Sequence, residues 1–312
     1  MTKAIRIGTR ASALAHAQTQ LVADALAEAS GRTVELVDVT TYGDVNRGSL
    51  AQIGGTGVFV SALRDRLLDG TVDVAVHSLK DLPTAEPEGL ALGAVPVRGH
   101  WADALVAPGA RTLAALPAGA RVGTGSPRRA AQLLAARPDL EIIDIRGNVD
   151  SRLKRVLGGP DVPDERRLDA VVLAHAGLDR LGRAGVVTEV LGPDVMLPAP
   201  GQGALAVECR GDDEGTAALL AALDDRGSRA TVTAERALLA ALEAGCAAPV
   251  GALATVIDAG RLELTAGAFA LDGTVSVRRT ATGSSGEPAR LGRELAAGLL
   301  AEGAAALMGE HV

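Results

Sequence analysis

Short apolar runs that end in a small or polar turn and then open into a helical pattern recur through residues 5–180, and this repeat constrains the fold more than any other feature. Ile5 to Ile7 is a strand followed by Gly8-Thr9-Arg10-Ala11-Ser12 and a helix from about Ala13 to Ala29, with Gly31 just past its end. Val34 to Thr41 is a second strand, Val58 to Leu68 a helix stopped near Gly70, and Val72 to Val76 a strand running into His77-Ser78-Leu79-Lys80-Asp81. The pattern then starts again. Arg121 to Gly123 leads into a helix ending near Ala136, Ile142 to Ile145 into a helix over about Val149 to Leu157, and Ala170 to Leu173 into a further helical segment. Two successive sets of βα units imply two α/β domains.

The stretch from about Met196 to Arg210 is rich in Pro and Gly and then strand-like, a plausible hinge by which the chain returns to the first domain. From about Thr231 the character changes. A helix to Ala244 is followed by strand patterns at about 250–257, 261–270 and 274–282 and a last helix at about 288–308, the order of a small α+β domain. The expected division is 1–99 with 198–218 for a discontinuous first domain, 100–197 for the second and 222–312 for the third. At 312 residues, two or three cores are the expected number.

Composition narrows the function. The net charge is −7, and one Trp, one Tyr and two Phe cannot build a stacking surface for single-stranded nucleic acid. No apolar run is long enough to span a membrane, and the first residues show no signal-peptide core, so a soluble cytoplasmic protein is expected. Two cysteines, five histidines and no paired metal-ligand spacing point to no disulfide framework and no metal.

Against that acidic background, the strand ends are basic. Ligands of open α/β sheets bind beyond the C-terminal ends of the strands. Here those positions hold Arg10, Ser12, Lys80, Asp81, Thr124, Ser126, Arg128, Arg129 and Arg146, with Arg152 in the helix that follows. Positive charge is thus gathered toward a cleft between the two domains. Ser126 suits an N-cap and Pro127 the first helical position. Two arginines in that first turn oppose the helix dipole by roughly 0.3–1 kcal/mol. Their cost to the helix, set beside the planar fork of the guanidinium, points to a ligand with carboxylates or phosphates, the alternative being a solvated surface pair. Lys80-Asp81 reads either as a surface pair or as a carboxylate offsetting positive charge in a ligand or transition state.

Cys246 lies in a loop after a helix and its glycine stop, whereas Cys209 sits in an apolar run and reads as buried and inert. A tethering or nucleophilic thiol needs nearby cations, and an unremarkable loop thiol is the competing reading. On the residues alone, other functions remain open. A reversible binding protein for a small dicarboxylate would use the same cleft and need neither Cys246 nor a third domain. A cysteine-dependent acyltransferase would need a base near the thiol, for which His77 and His175 are candidates only by type.

Taken together, the stretches IRIGTRASALAHAQ, VHSLKDLPT, VGTGSPRRAAQL, IRGNVDSRL, LAHAGLDRLG, PAPGQGALAVECR and TAERALLAALEAGCAAPVGALA resemble the porphobilinogen deaminase family over nearly the whole chain. The resemblance implies two α/β domains like those of periplasmic binding proteins around a cleft, plus a small C-terminal α+β domain. It implies a monomeric transferase, hydroxymethylbilane synthase, acting on the small molecule porphobilinogen in tetrapyrrole (haem) synthesis, with no nucleic acid or membrane partner. The family assembles its own dipyrromethane cofactor in thioether linkage to the cysteine that Cys246 matches. Each porphobilinogen loses ammonia and is attacked by the free α-position of the growing chain. After four additions, hydrolysis releases hydroxymethylbilane.

By the same resemblance, Asp81 matches the catalytic aspartate. Lys80, Asp81, Thr124, Ser126, Arg128, Arg129 and Arg146 match cofactor-binding positions, and Arg10, Ser12, Arg146, Arg152 and Arg180 substrate-binding ones. Every pyrrole ring carries an acetate and a propionate, which explains so many cations. The chain departs from the family in GGTGVFVSAL, which lacks the lysines many relatives carry near Thr56 and Ser61. It departs again in Val97 to Asp103, where an Asp-Pro-Arg-Asp pattern is usual, and at Pro127, where a leucine is common.

Overall fold

A computed structural model describes residues 3–39, 57–158, 162–245 and 248–308, with the backbone alone for 57–59. The chain divides into two compact units, one of Met1–Gly99 with Gly203–Ala230, the other of His100–Gln202 with Thr231–Val312.

The first unit is built on a five-stranded sheet in the order β2-β1-β3-β10-β4. Its strands are β1 (Ile5–Arg10), β2 (Val34–Val39), β3 (Val74–Ser78), β4 (Leu90–Ala94) and β10 (Leu205–Arg210). β1 pairs in parallel with β2 and β3, and β10 runs antiparallel between β3 and β4. The returning strand therefore places Leu205 opposite Ser78, at the C-terminal edge of the parallel strands.

Alternation along the strands sends Ile5, Ile7, Val74 and Val76 to one face, where Val22 and Leu26 of α1 (Ala13–Ser30) cover them. Ala75 goes to the other face, where it and Val72, just ahead of β3, meet Leu63 and Leu67 of α2 (Gly57–Leu68). α1 starts where Ser12 Oγ accepts from the Ala15 N–H and ends at Gly31, whose φ of +65° a residue with a side chain adopts at a cost.

The second unit repeats the plan. Its sheet runs β7-β6-β8-β5-β9, from β5 (Asp103–Val106), β6 (Arg121–Gly123), β7 (Glu141–Ile143), β8 (Ala170–Ala174) and β9 (Glu189–Leu191). β6 is parallel to β7 and β8, while β5 is antiparallel to β8 and β9. Leu105, Val122 and Val172 pack with Leu133 of α3 (Pro127–Ala136) on one face. Ala104, Val106, Val171 and Leu173 pack on the other with Leu153 and Val156 of α4 (Val149–Leu157) and Leu178 of α5 (His175–Arg180).

The three-stranded antiparallel sheet of β11 (Val250–Asp258), β12 (Arg261–Phe269) and β13 (Ser276–Ser284) belongs to this unit too. Leu253 and Phe269 meet Ala131, Leu197 and half-buried Trp101 in one apolar cluster. The chain also forms α6 (Glu214–Leu220), α7 (Arg226–Ala241), α8 (Pro288–Ala301) and α9 (Ala304–Leu307). Among the described residues, no helix is long and apolar enough to cross a membrane.

Candidate active site

Because β1, β2 and β3 are parallel, their C-terminal ends share one edge of the first sheet. Arg10 ends β1 half-buried, and Ser12 caps α1 directly after it. β3 runs into a single 3-10 turn, Leu79–Asp81, which leaves Lys80 half-buried and the Asp81 side chain exposed. The turn is pinned at its base. The Leu79 N–H donates to Ala204 O at 3.0 Å, and Ser78 Oγ accepts from Gln18 Nε2 at 3.0 Å. Beneath it, Glu208 takes a bidentate bond from Arg64 at 2.7 and 3.0 Å and lies 3.1 Å from His77 Nε2. Burial acts to raise the Glu208 carboxyl, but the His77 and Arg64 contacts outweigh it and bring the carboxyl down to about 2.

In the second unit, the ends of β6, β7 and β8 share an edge with the start of the antiparallel β5. Thr124 is buried there, its Oγ accepting from the Ser126 N–H at 3.2 Å. Gly125 passes so close to the β7 end that a Cβ would sit 2.7 Å from Ile145 O. Ser126 then caps α3 and Pro127 opens it, as the sequence leads one to expect.

Arg128 and Arg129, expected to face a ligand, are met by an internal carboxylate. Asp103, fully buried at the first position of β5, accepts from Arg128 Nη1 at 2.8 Å. Its other oxygen accepts from Arg129 Nε and Nη2 at 2.9 and 2.7 Å and from Gln202 Nε2 at 2.9 Å. Backbone carbonyls complete the cradle, Leu197 O taking Arg128 and Val172 O taking Arg129. Burial acts to raise the Asp103 carboxyl, but two guanidinium charges and their hydrogen bonds hold it well below the usual carboxylate range.

Around this cradle the charge is unbalanced. Arg146 is 43% exposed, with Asp144 3.8 Å away as its ion partner. Arg152 donates from Nε to Gly147 O at 2.8 Å, and its guanidinium is pushed down by burial first and then by the charges of Arg129 and Arg146, with Asp144 opposing. Arg180 is half-buried in the last turn of α5, its charge also disfavoured by burial.

The structure therefore gathers Arg10, Ser12, Lys80 and Asp81 on one sheet edge, and Thr124, Ser126, Arg128, Arg129, Arg146 and Arg152 around another. Cys246 lies outside the described residues, as does Thr56. Cys209 is fully buried with its thiol pushed up by burial, in keeping with an inert core residue. The sequence reading missed Asp103, Gln202 and Glu208. The available signal for Asp103 was the pair of arginines misplaced against the helix dipole, which calls for an anion from somewhere, and the chain supplies one.

The fold and these residues define an α/β protein with two polar sheet edges, each carrying more cation than anion. Comparison with known proteins narrows that class. Residues 5–218 match the family described as "Porphobilinogen deaminase, dipyromethane cofactor binding domain", and residues 229–301 match "Porphobilinogen deaminase, C-terminal domain". Porphobilinogen deaminase 1 of Streptomyces coelicolor is 57% identical over 99% of this chain and 98% of its own length. The porphobilinogen deaminase of Thermobifida fusca is 52% identical over 97% and 95%. Among solved structures, the methionine binding protein MetQ is similar at a TM-score of 0.44 and 13% identity, covering 70% of this chain and 88% of that one. The chain belongs to the porphobilinogen deaminase family.

Its residues fit the family's cofactor. Two pyrrole rings bearing an acetate and a propionate each bring four carboxylates. The crowding of Arg129, Arg146 and Arg152 against one another is what such a group would relieve.

Proposed function

We propose that this chain is a hydroxymethylbilane synthase that deaminates porphobilinogen and joins four units head to tail. It then releases the linear tetrapyrrole by hydrolysis, in the service of tetrapyrrole synthesis. The supporting observation is the placement of one exposed carboxylate, Asp81, on a sheet edge with Arg10, Ser12 and Lys80, in a chain whose family binds dipyrromethane. That group, in thioether linkage to Cys246, supplies a nucleophilic pyrrole α-carbon from which the chain grows.

The protein's own part is binding and electrostatics. Arg10, Ser12, Arg146, Arg152 and Arg180 take substrate carboxylates, while Lys80, Asp81, Thr124, Ser126, Arg128, Arg129 and Arg146 hold the cofactor. As the aminomethyl C–N bond of porphobilinogen breaks, ammonia leaves and positive charge develops on the pyrrole. Arginines would repel that charge. The Asp81 carboxylate stabilises it and accepts the pyrrole N–H, and again offsets charge when the new C–C bond forms and the α-proton departs. Water adds in the final hydrolysis and gives the hydroxymethyl end. Asp103 fixes the forks of Arg128 and Arg129 so that their remaining N–H groups meet the cofactor without further ordering. The setting we propose is a cytoplasmic monomer acting on a small molecule, without a nucleic-acid or membrane partner.

Incubation with porphobilinogen tests this reading. The wild type should consume four porphobilinogens and release four ammonias per tetrapyrrole formed. Asp81→Ala should fold normally and lose at least about 100-fold in turnover. A wild type that leaves porphobilinogen intact would remove the activity, and near-normal turnover in Asp81→Ala would remove Asp81 from it.

A further inference from the structure

The second unit holds a cavity of about 450 Å³ lined by Asp144, Arg146, Ser151, Lys154, Arg155 and Arg166, with Val162 and Pro163. Four cations face one carboxylate there, in a protein whose net charge is −7. Lys154 and Arg155 stand in the last turn of α4, where cations suit the helix dipole, and this accounts for two of them. It does not account for bringing Arg166 against them. Arg155 Nε donates to Arg166 O at 2.8 Å, and the Arg155 guanidinium is pushed down by burial first and then by the charges of Arg166 and Arg121. The negative residue nearest in sequence to Arg166 on the short turn Asp164–Arg166 that is ion-paired is Asp164, and it pairs with Arg167 at 3.0 Å.

This cavity is also continuous in charge with the cradle described above. Arg129 and Arg146 both act on Arg152, and Arg146 lines the cavity. The cations thus form a series, from Arg129 through Arg152 and Arg146 to Lys154, Arg155 and Arg166. A single small anion needs no such series. A ligand that lengthens by two carboxylates with each added ring does.

We infer that the cavity bordered by Lys154, Arg155 and Arg166 is a further anion site, which takes carboxylates of the oligopyrrole once it has outgrown the Arg129, Arg146 and Arg152 cluster. This inference rests on the function proposed above. It assigns Lys154 and Arg166 to late additions or release and leaves cofactor assembly and the first addition to the residues already named.

The test uses the full-length enzyme and the double variant Lys154→Ser/Arg166→Ser, neither residue belonging to the proposed catalytic set. After mixing with limiting porphobilinogen, intact-protein masses report how many rings each molecule carries. The variant should load its two-ring adduct and take the first ring as wild type does, then accumulate species carrying two or three added rings. In a separate titration, the free octacarboxylate uroporphyrin should bind the variant roughly tenfold more weakly at low salt, two charge contacts being lost. A distribution of masses and a uroporphyrin affinity equal to those of wild type would overturn the assignment. A wild type with no pyrrole adduct would instead overturn the reading of function beneath it.

Discussion

Asp103 shows how much one carboxylate can organise. It holds Arg128, Arg129 and Gln202 in a dry cradle, and removing it would leave two buried guanidinium groups without their counter-charge. Breaking such a buried pair costs about 3–5 kcal/mol. Asp103→Ala should therefore lower unfolding free energy by that amount in a denaturant titration, and the protein that does fold should carry less cofactor by mass. Wild-type stability and full loading in the variant would show that the arginines hold their places without it. Glu208 permits a prediction with a definite sign. Its carboxyl sits at about 2 in the fold against roughly 4.3 when unfolded. The stabilisation is complete above the unfolded value and is lost as pH falls through the folded one. Wild-type stability should thus decline between about pH 4.3 and 2, and Glu208→Gln should flatten that part of the profile while lowering stability at neutral pH. An unchanged acid limb in the variant would contradict it.

At the scale of elements, the helix starts carry the polar strand-end residues into place. Ser126→Ala removes the acceptor of the Arg129 N–H and should cost about 1 kcal/mol. Gly125→Ala forces a Cβ against Ile145 O and should cost about 1–3 kcal/mol, with cofactor loading reduced as well, because the turn carrying Thr124 and Ser126 must shift. Thermal melts of the two variants check the order, the glycine substitution being the more damaging to loading. Such ends are legible in the sequence because capping is local: Ser126 announces α3, and Gly31 ends α1 where expected, while the Ser12 cap of α1 emerges only in the structure.

The antiparallel strand between β8 and β9 in the second sheet was not legible. β5 has four residues, all buried, too few for a period to emerge, and its pairing with β8 joins positions such as Asp103 and Ala174 that lie far apart in the chain. Asp103 was hidden for the same reason, since its partners Arg128 and Arg129 lie 25 and 26 residues away. β4, β9 and α6 are likewise short, and the sequence reading passed over them. The C-terminal strands, longer and bounded by turns, were read within a few residues, whereas the last helix, expected unbroken to about 308, stops at Ala301 and resumes as α9 after Gly303, whose φ is +91°.

For the whole molecule, the chain passes from one unit to the other at Gly99–His100 and at Gln202–Gly203, and again within α7 at Ala230–Thr231. The sequence led to two α/β sheets followed by a small C-terminal α+β portion, and the structure has those three sheets. The three-stranded sheet packs within its own compact unit through Leu253, Phe269, Ala131 and Leu197. A close approach such as that of Gly251 in β11 to Leu197, where a Cβ would lie 2.6 Å from the Leu197 Cβ, depends on contacts that no local pattern in the sequence reports. The family assignment, by contrast, rests on motifs spread from residue 5 to residue 301 and does not depend on where the units divide.

The central claim is that Cys246 tethers the group on which the tetrapyrrole grows. Its most direct measurement is the intact mass of wild type against Cys246→Ser, both purified from cells able to make porphobilinogen. The account predicts an added mass of two pyrrole units in the wild type and none in the variant. The same added mass in Cys246→Ser, or its absence from a wild type supplied with porphobilinogen, would contradict it.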